Sequence, residues 1–158
     1  MDVDDVETVA VLGAGNMGHG IAEVAALAGF DVNLRDIKEE FVQNGYDQIE
    51  WSLGKLAEKD QISQEEADAA LDRVTPVVPV EDAVAEANLV IEAVPEKMDI
   101  KKDVYAEVEK YAPDHTVFAS NTSSLSITEL SEVTDRKERF CGMHFFNPPV
   151  RMQLVEVI

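Results

Sequence analysis

The stretch VAVLGAGNMG, residues 9–18, constrains what this chain can fold into more than any other. Gly13-Ala14-Gly15-Asn16-Met17-Gly18 fits the spacing G-x-G-x-x-G, a weak signal when it stands alone. Its context narrows the reading. Thr8 to Leu12 is a short apolar run ended by glycine, the pattern of a buried strand, and Gly18 to Gly29 reads as a helix closed by a glycine. Phe30 to Arg35 reads as a second strand with Asp36 at its end, about 20 residues beyond the glycines. Strand, glycine turn, helix, strand and acid together form a dinucleotide-binding pattern. Gly13 permits the tight turn, Gly15 lets backbone approach a pyrophosphate, and Gly18 lets helix and strand pack closely. The N-terminus of that helix offers unpaired N–H groups and a partial positive charge to the phosphates, so Gly13, Ala14, Gly15, Asn16, Met17 and Gly18 are the expected cofactor contacts. Asp36 is expected to accept hydrogen bonds from the adenosine ribose, and its charge favours NAD over NADP. Arg35 beside it argues the other way, and Asp36 could instead only cap the helix that follows.

Beyond this unit, strands and helices keep alternating. A long helical region is expected over roughly 37–60, and Ser63-Gln64-Glu65-Glu66 is a capping-box signature opening another helix to about Arg73. Val74 to Val78 reads as a short strand that Pro76 confines to an edge. Asn88 to Val94 reads as a central strand, with a helix from about Lys97 to Tyr111. Thr116 to Ser120 is the next strand, and Asn121-Thr122-Ser123-Ser124 a polar turn after it. A short helix near Ile127 to Val133 leads to strands at Phe140 to Phe145 and Gln153 to Ile158. The predicted fold class is α/β: a doubly wound, mostly parallel sheet with a helical pair inserted after the second strand. With 158 residues, the chain is expected to form one domain, 1–158, with a full core.

Charge excludes some functions and suggests a setting. The chain has 32 Asp and Glu against 13 Lys and Arg, a net −19, which argues against nucleic acid as a partner. The acids are spread through every segment, as on a carboxylate-coated folded surface. Such a coat suits molar salt, where the screening length falls to ~3 Å. A halophile's cytoplasm is therefore expected, with an acidic protein of ordinary salt as the alternative. No apolar run is long enough to span a membrane, and the acidic start MDVDDVE is unlike a secretory leader. Cys141 is the only cysteine, in keeping with a reducing cytoplasm; no metal site is expected.

Ligands bind doubly wound sheets outside the carboxyl ends of the strands. That rule singles out Glu96 and Lys101, the turn Asn121 to Ser124, and His144 to Asn147. Lys101 could equally be a surface lysine, and the turn a cluster of helix caps. If Phe140–Phe145 and Gln153–Val157 ran antiparallel around a turn near Val150, His144 and Glu156 would face one another. A carboxylate fixes an imidazole's tautomer and stabilises the imidazolium, which makes a general base with its orienting partner. A purely structural His–Glu pair is the competing reading.

The segments VLGAGNMGHGIA, IEAVPEKMDIKK, ASNTSSLSI and RFCGMHFFNPPVRMQLVEVI together make the chain resemble the NAD-binding domain of the L-3-hydroxyacyl-CoA dehydrogenase family, over essentially its whole length. The resemblance implies NAD as cofactor and an acyl-CoA thioester as substrate, oxidised at its 3-hydroxyl. It implies His144 as base, Glu156 as its partner, and Ser123 beside the reacting oxygen, the nicotinamide and the substrate. It also implies Glu96, Lys101 and Asn147 as cofactor contacts, with Ser52 and Lys59 touching the CoA moiety. Family enzymes continue into a helical second domain that forms a homodimer contact, and that domain is absent here. A terminus inside an apolar strand suggests a fragment, or a chain completed by a partner.

Overall fold

The computed structural model describes residues 1–158. Strand β1 (Thr8–Leu12) explains the layered plan, because its alternate residues serve two different cores. Val9 and Val11 join one apolar cluster, Ala10 and Leu12 the other. A strand with four consecutive apolar residues, Val9 to Leu12, must be covered on both faces, and helices do that here. Helices α1 (Asn16–Leu27), α2 (Glu39–Glu58) and α3 (Gln64–Asp72) pack over the first face. Helices α4 (Val80–Val84) and α5 (Met98–Tyr111) cover the second.

Between them lies a seven-stranded sheet. It contains β1, β2 (Asp31–Arg35), β3 (Val74–Val77), β4 (Leu89–Glu92), β5 (Val117–Ser120), β6 (Phe140–Phe145) and β7 (Val155–Val157). The order is β3-β2-β1-β4-β5-β6-β7. Pairings from β3 through β6 are parallel, and β7 alone is antiparallel. The chain reverses direction across the sheet between β1 and β4, so a crevice opens at their carboxyl ends. A short helix, α6 (Ile127–Ser131), joins β5 to β6 through a 3₁₀ turn at Lys137–Arg139.

The long α2 docks through Val42, Gly45, Ile49 and Leu53, a stripe at three- and four-residue spacing on an otherwise polar helix. Ser63 caps α3 as expected, its hydroxyl accepting the Glu66 N–H at 3.0 Å. β3 sits at the edge as Pro76 requires. Most boundaries shift by one or two residues, and three elements differ more. α1 starts at Asn16 instead of Gly18, because extended Gly15 acts as the cap and the helix begins directly after it. Helix α4 was not anticipated; Pro79 presets the helical entry, and Glu81 and Asp82 favour the first turn. β7 is three residues where six were expected, since the segment after the prolines turns before it can pair.

Candidate active site

The glycine turn after β1 is held by backbone and by one carboxylate. Gly13 has φ +100°, and a Cβ there would lie 2.6 Å from the Ala93 carbonyl oxygen, so no other residue fits. A Cβ on Gly18 would collide with the Gly13 carbonyl, so this glycine lets α1 pack on the turn itself. Gly13 N–H donates to Arg35 O at 2.8 Å, and Ala14 N–H to Asp36 Oδ2 at 2.8 Å. Asp36 also accepts the Ile37 N–H at 2.7 Å, but it does not cap α2, whose cap is Lys38. Arg35 is turned away toward β3, its Nε donating to Val78 O at 2.7 Å.

These residues fit a bound dinucleotide. The cap Gly15 has no side chain to satisfy the first N–H groups of α1, and the space beside its Cα is open. Asn16 and Met17 form the first turn of α1 beside it. Asp36 stands at the tip of the next strand, where a ribose carboxylate partner is needed.

A second group of polar residues lies across the crevice, at the ends of β4 and β5. Glu92, the last residue of β4, is completely buried. Its oxygens accept from Lys101 Nζ at 2.5 Å, Ser120 Oγ at 2.6 Å and Val94 N–H at 2.9 Å. Lys101 is therefore no surface lysine: it is 2% exposed, and it also donates to Val94 O at 3.1 Å. Its ammonium lies 3.6 Å from Glu96 Oε1. Glu96 in turn accepts from Thr122 Oγ1 at 2.7 Å, from Ser123 N–H at 3.3 Å and from Ser123 Oγ at 3.5 Å. Desolvation would raise the Glu96 carboxyl, but hydrogen bonds from Thr122 and Ser123 and the Lys101 charge outweigh it and hold it below its ordinary value. The polar turn is thus more than a set of helix caps. Asn121 extends it to the next strand, its Oδ1 accepting the Phe145 N–H at 2.8 Å.

That bond sets the turn beside the end of β6, where His144 lies. The β6–β7 register places His144 directly opposite Glu156, and Nδ1 and Oε1 are 3.0 Å apart. With Nδ1 donating to the carboxylate, Nε2 carries the lone pair. The Phe146 ring lies against the imidazole, with centroids 4.7 Å apart. The His144 side chain is 20% exposed and Glu156 53%, so the pair is open to a ligand. Asn147 follows on the surface. Ser52 and Lys59 stand apart from this cluster, on α2 and at its carboxyl end, and no hydrogen bond joins them to it.

Glu92 and Ser120 were not singled out as site residues, although a signal for Glu92 was present. A carboxylate inside the apolar run Leu89-Val90-Ile91 must find a buried partner.

The family model for the NAD-binding domain of 3-hydroxyacyl-CoA dehydrogenases matches residues 8–158. The chain belongs to this family, and NAD is the cofactor of the domain. It is 42% identical over 153 residues to a 3-hydroxybutyryl-CoA dehydrogenase of Bradyrhizobium diazoefficiens, covering 97% of this chain and 52% of that protein. A probable 3-hydroxybutyryl-CoA dehydrogenase of Bacillus subtilis is 41% identical, with 98% of this chain and 53% of that protein covered. The crystal structure of the Escherichia coli K12 3-hydroxybutyryl-CoA dehydrogenase superposes with a TM-score of 0.94 at 42% identity, over 97% of this chain and 32% of that one. This chain spans about half the length of the curated relatives it matches.

Proposed function

We propose that this chain carries the hydride- and proton-transfer residues of a dehydrogenase that oxidises L-3-hydroxyacyl-CoA thioesters to 3-ketoacyl-CoA. The observation that carries the reading is the His144–Glu156 pair, 3.0 Å apart across two antiparallel strands at the carboxyl edge of a dinucleotide fold. Bound NAD supplies the acceptor for the hydride that leaves the 3-carbon. His144 Nε2 takes the hydroxyl proton while Glu156 holds Nδ1–H and stabilises the imidazolium. The Ser123 hydroxyl turns from its long 3.5 Å contact with Glu96 to donate to the oxygen as it becomes a carbonyl, while the Ser123 N–H stays on Glu96 at 3.3 Å. Glu96 keeps that serine in place, and Asn147 flanks the nicotinamide side. Ser52 and Lys59 bind the CoA portion of the substrate.

A second reading has the chain bind NAD without turning over substrate by itself. It is favoured by the exposure of all three β7 residues, one of which is Glu156. One experiment separates the two: NADH consumption with acetoacetyl-CoA, run beside NADH binding and the His144→Gln variant. Turnover that falls by about 10²–10⁴-fold in the variant, with NADH binding almost unchanged, supports catalysis. Binding without turnover supports the second reading. No NADH binding would sink both. Equal turnover of a 3-hydroxy acid lacking CoA would instead remove the roles given to Ser52 and Lys59.

We also infer a salt-rich cytoplasm as the working environment, from the net charge of −19. The melting temperature should rise substantially between low and molar KCl, and a flat response would rule the inference out.

A further inference from the structure

A continuous polar chain runs from the interior of the sheet to the surface hydroxyl of Ser123. It begins at Ser120 and Glu92, passes through Lys101, and ends with Glu96 holding Thr122 and Ser123. Two carboxylates compete for one ammonium, and the distances decide between them. Lys101 Nζ is 2.5 Å from Glu92 and 3.6 Å from Glu96, with Glu92 fully buried and Glu96 44% exposed. Coulomb attraction is strongest where contact is close and solvent is absent, so Glu92 takes the lysine. Glu96 then keeps its oxygens for Thr122 and Ser123.

We propose that Glu92 is a positioning residue of this site: by anchoring Lys101 inside the sheet it leaves Glu96 free to hold Ser123. The role of Ser123 rests on the dehydrogenase reading above; the anchoring does not. Three features support the inference. Glu92 has a donor from each of three segments, α5, β5 and the loop after β4, so its carboxylate cannot swing. Lys101 is tethered a second time by Val94 O. The Tyr105 hydroxyl, which also faces Glu92, offers no rival charge, because burial pushes it well up and leaves it neutral.

Glu92→Gln keeps the shape and removes the charge, so Lys101 should move onto Glu96, the one carboxylate still in reach. The test is NMR of the isotope-labelled chain, following the Glu96 side-chain carboxyl and the Ser123 amide through a pH titration. The expected result is a Glu96 midpoint lowered by about half a pH unit, as a nearer ammonium dictates. The Ser123 amide should also lose its shift coupled to that midpoint. Ser120→Ala, which removes one of the donors that fix Glu92, should move both signals the same way by less, and it judges the proposal alone if Glu92→Gln does not fold. Thr116→Val breaks the buried bond to Ala87 O at the far end of β5. It should lower the melting temperature without moving either signal. If Glu92→Gln and Ser120→Ala lower stability while the Glu96 midpoint and the Ser123 amide stay unchanged, Glu92 is only a structural acid and the proposal is overturned. NADH binding by the unaltered chain is read separately: its absence defeats the dehydrogenase reading and leaves the NMR result to decide the anchoring.

Discussion

Two glutamates are buried to the same degree in this domain, and their surroundings could hardly differ more. Glu92, at the end of β4, is 0% exposed and receives three hydrogen bonds, one from an ammonium. Glu23, on α1 where α2 covers it, is 1% exposed, and its Oε1 has no partner. Burial pushes the Glu23 carboxyl up to about 7, with only the Ser52 side chain opposing. The contrast shows what burial demands of a charge. Glu92 finds donors for both its oxygens inside the protein, whereas Glu23 lacks one and burial raises its carboxyl.

The sharpest way to break the comparison is to make Glu92 resemble Glu23. Lys101→Met strands a buried carboxylate and should cost about 3–5 kcal/mol, read as a lower urea midpoint at unchanged slope. Adding Glu92→Met should recover most of that loss, because an apolar pair of similar volume needs no donors. An unchanged midpoint in the single variant would show that the pair carries no stability.

The reverse operation is to relieve Glu23. Its folded value of about 7 lies above the ordinary 4.5, so the folded state holds the proton more tightly. Its contribution is therefore most favourable below pH 4.5, declines as pH rises toward 7, and is flat above that. Glu23→Gln should stabilise the domain by about 2–3 kcal/mol at pH 8 and by little at pH 4. A stability difference that does not vary with pH would refute the assignment. Ser52→Ala removes the one group that opposes the shift, so the Glu23 midpoint should rise further and stability at pH 8 fall by about 1 kcal/mol. The smallest effect belongs to a charge pair left in water. Lys55 and Glu58 touch at 3.1 Å on the surface of α2, and Lys55→Ala should change stability by less than about 0.5 kcal/mol.

Legibility from sequence followed the range of the interaction. The glycine turn, the mostly parallel sheet implied by alternating elements, the cap at Ser63 and the edge placement forced by Pro76 were all readable, since each depends on a few neighbouring residues. The facing of His144 and Glu156 was readable only as a condition, because a register one residue different would have turned Glu156 to the opposite face. Lys101 looked like either a ligand contact or an ordinary surface residue, and it proved to be a buried partner of Glu92. The orphaned oxygen of Glu23 left no mark at all in its sequence surroundings.

By itself the sequence determined most of the elements and their order, the short α4 excepted, because apolar periodicity and the stereochemistry of glycine and proline act within a turn or a strand. Only the tertiary structure decided which charges would be satisfied. Glu92 is nine residues from Lys101 and 28 from Ser120, while its counterpart on α1 depends on Ser52 of a different helix. Those distances are set by how segments far apart in the chain dock, and the protonation state of a buried acid follows from that docking alone.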